Sequence, residues 1–186
     1  MSKWILRDIK MTLDWDSIQD AINEIRKLKE DLARALDELV RYLTMERGVN
    51  IAKMYIAQFP AVDTGFLSDS IAGEFSYSEH SGTIYAGAYY AVYVEYGTGI
   101  VGEANPHPEP NGWEYDINGH GEAGWFYPVK DGPQSNAWHP AGRKAAGVRL
   151  AWTRGMPARP FMYNTMLELE AEVEREGGRI IAEYIP

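Results

Sequence analysis

The residues in this sequence that can do chemistry are few. Four histidines are present, His80, His107, His120 and His139, and none stands in an H-E-x-x-H run or another spacing that sets two metal ligands on one helix face. The run Asp116-Ile117-Asn118-Gly119-His120-Gly121-Glu122 is rich in donor atoms, but its oxygens do not fall at calcium-loop spacing. Gly97-Thr98-Gly99 lacks a P-loop lysine, no G-x-G-x-x-G opens a helix, and no G-x-S-x-G elbow occurs. Glu95 and Asp116 can be drawn as an acid and a base for glycan cleavage, yet any acidic chain offers such pairs. There is no cysteine, which excludes a disulfide framework, a thiolate metal site and a cysteine nucleophile. The expectation is a protein that is not an enzyme and has neither cofactor nor metal.

The elements that would position these residues belong to a chain of 186 residues, of which 45% are apolar and 24% charged, the composition of a globular domain. It reads as a single domain over 1–186, with an N-terminal segment at 1–15 and an elaborated loop at 100–155. No run of about 18 apolar residues exists and no signal-peptide core opens the chain, so a membrane partner is not expected. The net charge is −9. No basic stripe interrupts that balance, and a phosphate-binding surface needs one to displace counterions. Sequence-specific nucleic-acid binding is therefore not expected.

Ile5, Ile9, Met11 and Leu13 sit at even spacings and suit a short strand. Asp16 with Gln19 has the capping-box pattern, and Ile18, Ile22, Ile25, Leu28, Leu32, Leu36, Leu39 and Leu43 then recur in steps of three or four. This predicts one long amphipathic helix, lying across a sheet rather than in a coiled coil, with a kink or break near Gly48 and an end at Phe59-Pro60. Alternation of Ile71, Gly73, Phe75 and Tyr77, turn residues at 78–82, and Thr83 to Gly87 predict a β-hairpin. Tyr89 to Tyr96 suits a strand or a short helical turn ending at Gly97, and the helical turn leaves Glu95 the easier environment.

Residues 97–155 hold 11 of the 18 glycines and four of the six tryptophans. Their aromatic content predicts order, with short strands at 125–127 and 148–152, and Trp113, Trp125 and Trp138 are candidate interface residues. Pro160 fits the first turn of a C-terminal helix with an apolar stripe at Phe161, Thr165, Met166, Leu169 and Val173, ending at Gly177-Gly178. The acidic run Glu168, Glu170, Glu172, Glu174 and Glu176 reads as a solvated face. The architecture expected is α+β: a long N-terminal and a C-terminal helix packed on a small antiparallel sheet, with a long Gly/Trp-rich loop at the edge.

Three segments taken in order resemble a known family. They are Pro60-Ala61-Val62-Asp63-Thr64-Gly65-Phe66-Leu67 running to Ser70-Ile71, then Tyr90-Ala91-Val92-Tyr93-Val94-Glu95-Tyr96-Gly97-Thr98-Gly99, then Gly155-Met156-Pro157-Ala158-Arg159-Pro160-Phe161. Together they resemble the tail-completion, or minor tail-component, proteins of long-tailed bacteriophages and prophages, over roughly residues 16–176. Two departures stand out: a long tryptophan-rich stretch between Gly99 and Gly155, and Ser68 where a basic residue often follows the leucine. The resemblance implies a structural virion protein joining the tail to the head connector, made in the host cytoplasm. Its partners would be other neck and tail proteins and further copies of itself, in a ring of hexameric symmetry. On that reading the acidic residues Glu168, Glu172 and Glu176 would face a lumen and let DNA pass. Asp63, Thr64, Gly65, Glu95 and Gly97 either build the fold or meet a partner; Glu95 can take backbone amides or pair with Arg159. The rival readings are a glycan- or cell-wall-binding module, suggested by the aromatic loop, and an interaction protein of a prophage toxin or chaperone system.

Overall fold

The computed structural model describes residues 14–59, 65–129, 143–145 and 148–183. The proposed strand at 5–13, the motif residues Asp63 and Thr64, and Trp138 lie outside the described residues.

Helix α1 spans Trp15–Tyr42, and its cap is Asp14 rather than Asp16: the Asp14 carboxylate accepts the Ser17 N–H at 2.8 Å. Asp16 instead sits in the first turn, where its charge meets the positive end of the helix dipole. The helix does not break at Gly48. It widens into a π-helical turn at Leu43–Gly48 and resumes as α2, Val49–Ala57. The β-hairpin sits directly on this turn. A Cβ added to Gly73 would lie 2.5 Å from the Thr44 carbonyl oxygen, and one added to Gly82 would lie 2.5 Å from the Thr44 hydroxyl. Bare backbone at both strand positions is what allows the close approach.

One turn, α3 (Phe66–Asp69), leads into β1 (Ile71–Ser76), which pairs antiparallel with β2 (Ser81–Ala86) in the register Ile71 to Ala86 and Gly73 to Ile84. Two short helices follow, α4 (Ala91–Tyr96) and α5 (Gly99–Ala104). Then come β3 (Trp125–Val129), β4 (Arg143–Ala145) and β5 (Val148–Thr153), a second antiparallel sheet with β5 in the middle. The class is α+β as expected, but the strands form two sheets rather than one, and the stretch at 100–155 carries helix and strand of its own.

The last helix, α6, spans Phe161–Ala182, with Pro160 immediately before it. It runs through Gly177-Gly178 instead of ending there. Gly177 is buried beside Leu39, and packing at that position outweighs the cost of about 1 kcal/mol that glycine carries inside a helix. α6 lies antiparallel to α1 and α2: Gly177 meets Leu39, Glu172 meets Arg47, and Glu168 meets Tyr55.

The acidic run is a solvated face only in part: Glu170 and Glu174 are exposed, whereas Glu172 and Glu168 face the neighbouring helix. Glu172 is buried and holds Arg47 in a two-pronged ion pair, Nε to Oε1 and Nη2 to Oε2, both at 2.8 Å. Glu168 accepts the Tyr55 hydroxyl at 3.1 Å, while Met166 and Val173, expected in the apolar stripe, are exposed. Glutamates spaced by four fall on one helix face, and here that face meets a cation and a phenol on the neighbouring helix. Reversing their charge would therefore disrupt packing before it tested any lumen. The core gathers Ala52, Ile56, Leu67, Ile71, Ala88, Ala91, Val94 and Phe161.

Candidate functional site

The three motif segments, far apart in sequence, meet at the start of α6. Leu67 of the first, Val94 of the second and Phe161 of the third are buried in one cluster. The left-handed Gly65, with φ of 75°, caps α3 and sets the direction that buries Leu67.

Glu95 is the hub. Its carboxylate accepts the Met162 N–H through Oε2 and the Tyr163 N–H through Oε1, both at 2.9 Å. Helix α6 starts after a proline and so brings no capping side chain of its own; Glu95 supplies the cap from a different helix, and its negative charge suits that end of the dipole. The buried His107 ring lies against it, Nε2 to Oε1 at 3.2 Å, and receives the Glu109 N–H on Nδ1 at 2.9 Å. The pairing of Glu95 with Arg159 is not formed. Arg159 instead donates its N–H to the Val94 carbonyl, and its guanidinium lies 5.6 Å from the centre of the Phe59 ring. Burial there lowers its pKa from the ordinary arginine value.

Gly97 and Gly99 permit the backbone contact between the second and third segments. Gly97 has φ 81° and ψ 171°, a region open only to glycine, and a Cβ on it would lie 2.6 Å from the Ala158 nitrogen. Thr98 pairs with Met156 in an antiparallel bridge, N to O at 2.9 and 3.0 Å, and the Gly99 N–H reaches the Tyr115 carbonyl at 2.6 Å.

Trp113 and Trp125 are committed to this scaffold. Trp113 donates its indole N–H to the Gly97 carbonyl at 3.0 Å and stacks on Tyr96, ring centres 5.1 Å apart; Trp125 lies on His120 at 4.6 Å. Both are half-buried. Asp116 closes its own loop, accepting the His120 N–H at 2.9 Å and the Gly121 N–H at 2.6 Å, and those donors hold its carboxyl below the ordinary 3.8. Glu95 and Asp116 are thus each occupied by backbone amides, one building a helix and the other a turn. Among the described residues no group of three or more histidines and carboxylates is placed to hold a metal ion, and no helix is long and apolar enough to cross a membrane.

Two clefts flank the hub and share a wall of Val92, Tyr96 and Asn111. One, of about 440 Å³, opens between α4 and the start of α6 at Met162 and Met166; the other, of about 480 Å³, opens between Tyr93, Trp113 and Ile117. The sequence offers no sign of either: the first draws together residues from Ala86 to Met166, and the second joins residues 92–96 to residues 110–117.

Residues 19–97 match the family model described as "Bacteriophage HK97-gp10, putative tail-component". The match takes in the first two motif segments and stops short of Thr98, Gly99 and the third, which the fold nonetheless draws onto the second. Comparison with curated proteins and with solved structures returns no match. The match spans under half of the chain, and it is a likeness to a family described as a phage tail component.

Proposed function

We propose that this chain is a non-enzymatic assembly protein that joins the phage tail to the head connector, acting as a ring of identical copies. The observation that carries the reading is the tail-component match over 19–97, reinforced by the convergence of all three motif segments on the Glu95 hub. A ring built from one chain needs a heterologous contact, one surface meeting a different surface on the next copy. The half-buried stacking of Trp113 and Trp125 speaks against a sugar platform, which would offer open aromatic faces. Glu95 and Asp116, the conceivable acid–base pair, are bound to amides, which disfavours hydrolysis.

The proposed partners are neck and tail proteins, in the virion and, during assembly, in the host cytoplasm. The test is a deletion in the parent phage or prophage, read by electron microscopy of the lysate. Separate full heads and finished tails, rejoined when the wild-type protein is supplied, are expected. Joined, infective particles without the protein would overturn the reading. Light scattering on the purified chain adds the copy number: six copies of 21.0 kDa are expected in the ring.

A further inference from the structure

Residues 1–13 and the stretch from 54 to 129 carry opposite charge. The first holds Lys3, Arg7 and Lys10 against Asp8 alone, three cations to one carboxylate and so a net charge of +2. Trp4, Ile5, Leu6, Ile9, Met11 and Leu13 are interleaved with them. The next carboxylates, Asp14 and Asp16, are already placed in the cap and first turn of α1. The stretch from 54 to 129 holds ten acidic residues and neither lysine nor arginine. Cations and apolar side chains in one short run suit a surface that is both apolar and acidic.

The two clefts beside Glu95 are such a surface. Val92, Tyr93, Ile117 and Met166 are exposed apolar groups in their walls, Glu109 lines the first and Glu114 the second, and both glutamates are exposed. No lysine or arginine is among the described residues that line either cleft. The oxygens of Glu95 are taken up by the amides of Met162 and Tyr163, so Glu109 and Glu114 are the carboxylates that can meet a cation there.

Reach decides whose clefts they are. The first half of α1 leaves the body as an arm, with no residue from 15 to 30 buried. From Trp15 to Leu39, where α1 meets Gly177 of α6, is about 36 Å of helix. The clefts lie further on in the same direction, because α6 runs antiparallel to α1 and Met166 is about 11 residues, roughly 16 Å, from Gly177 towards the start of α6. Fully extended, residues 1–13 span at most about 47 Å, and the part from Arg7 to Asp14 at most about 25 Å. A chain cannot bring this segment to its own clefts. A second copy can.

We propose that residues 1–13 of one copy dock in the paired clefts at Val92, Tyr93 and Met166 of the next, with Lys3, Arg7 and Lys10 attracted by Glu109 and Glu114. The arm of α1 carries the segment outward from its own body to that neighbour. The contact is heterologous, a segment meeting a cleft, so it repeats from copy to copy. It rests on the ring reading above and names the surfaces that make the ring.

The experiment uses two full-length variants, one with Lys3→Glu, Arg7→Glu and Lys10→Glu in the segment and one with Glu109→Lys and Glu114→Lys at the clefts, where both positions are exposed. Light scattering over a range of concentrations is expected to find the wild type as a multimer that loses mass in high salt. Each variant is expected at 21.0 kDa, because like charges then face each other. Mixing the two variants pairs each reversed segment with a reversed cleft and each unchanged segment with an unchanged cleft, so assembly is expected to return. Circular dichroism of each variant checks that the fold is intact. A variant of either kind that assembles like the wild type, a mixture that stays monomeric, or a wild type monomeric at every concentration would each overturn the proposal. Failure of the tail-joining reading is seen separately, in the deletion lysate, where joined particles would form without the protein.

Discussion

Two stretches of this chain are rich in apolar side chains, and their patterns suggest the reverse of what becomes of them. Residues 15–36 have the helical periodicity that usually marks a buried face, yet Ile25 and Leu28 stand in solvent. Residues 97–129 look like an irregular loop offering tryptophans to a partner, yet Trp113 and Trp125 are half-buried and held by Tyr96, the Gly97 carbonyl and His120. The difference teaches that periodicity reports amphipathicity, not what the apolar face meets. Burial of a helix face requires a second element within about 8–10 Å, and α6 ends too soon to serve the first half of α1. Trp113 is packed because the loop turns back on the motif glycines.

The contrast can be broken at several points. Gly97→Ala should do the most damage, costing about 3 kcal/mol or more, since it combines a forbidden backbone angle with a clash against the Ala158 nitrogen. Chemical denaturation measures it, and an unchanged midpoint would mean that the two segments do not depend on their close approach. Trp113→Ala should cost about 2 kcal/mol, below the range for a fully buried aromatic because the ring is half-exposed. A loss under about 0.5 kcal/mol would return Trp113 to the status of a free contact residue.

Acid should loosen the 116–121 turn selectively. The folded pKa of Asp116 lies below its ordinary 3.8, so its stabilising contribution is present above that value and is lost as pH falls through the folded pKa. Fluorescence of Trp125, which rests on His120, should change in that acid window in the wild type and not in Asp116→Asn. The smallest effect is expected in the arm. Ile25→Ala should change monomer stability by less than about 0.5 kcal/mol, because the side chain leaves no cavity behind it. A cost of several kcal/mol would show that the arm is packed against its own chain.

Much of the framework is legible in the residue pattern alone. The hairpin follows from alternation between Ile71 and Tyr77 and turn residues at 78–82; the helical turn ending at Gly97 follows from the placement of a carboxylate among aromatics. The π-helical turn is not legible, because it answers to Gly73 and Gly82 pressing on Thr44 from a strand pair elsewhere in the sequence. The role of Glu95 is half legible: amide acceptance is one of two options, but the choice between Arg159 and the amides of Met162 and Tyr163 depends on where α6 begins in space.

The sequence by itself determined the local matters: where the two long helices run, where the hairpin turns, and which three segments resemble those of phage tail-completion proteins. Those are settled by hydrogen bonding and side-chain sterics within a few residues. The tertiary structure alone decided which acidic residues are buried, that a glutamate from α4 caps α6, and that one end of a long apolar stripe stays exposed. Each of these depends on long-range juxtaposition, on Arg47 reaching Glu172 or α6 ending beside the middle of α1, and no spacing along the chain encodes such distances.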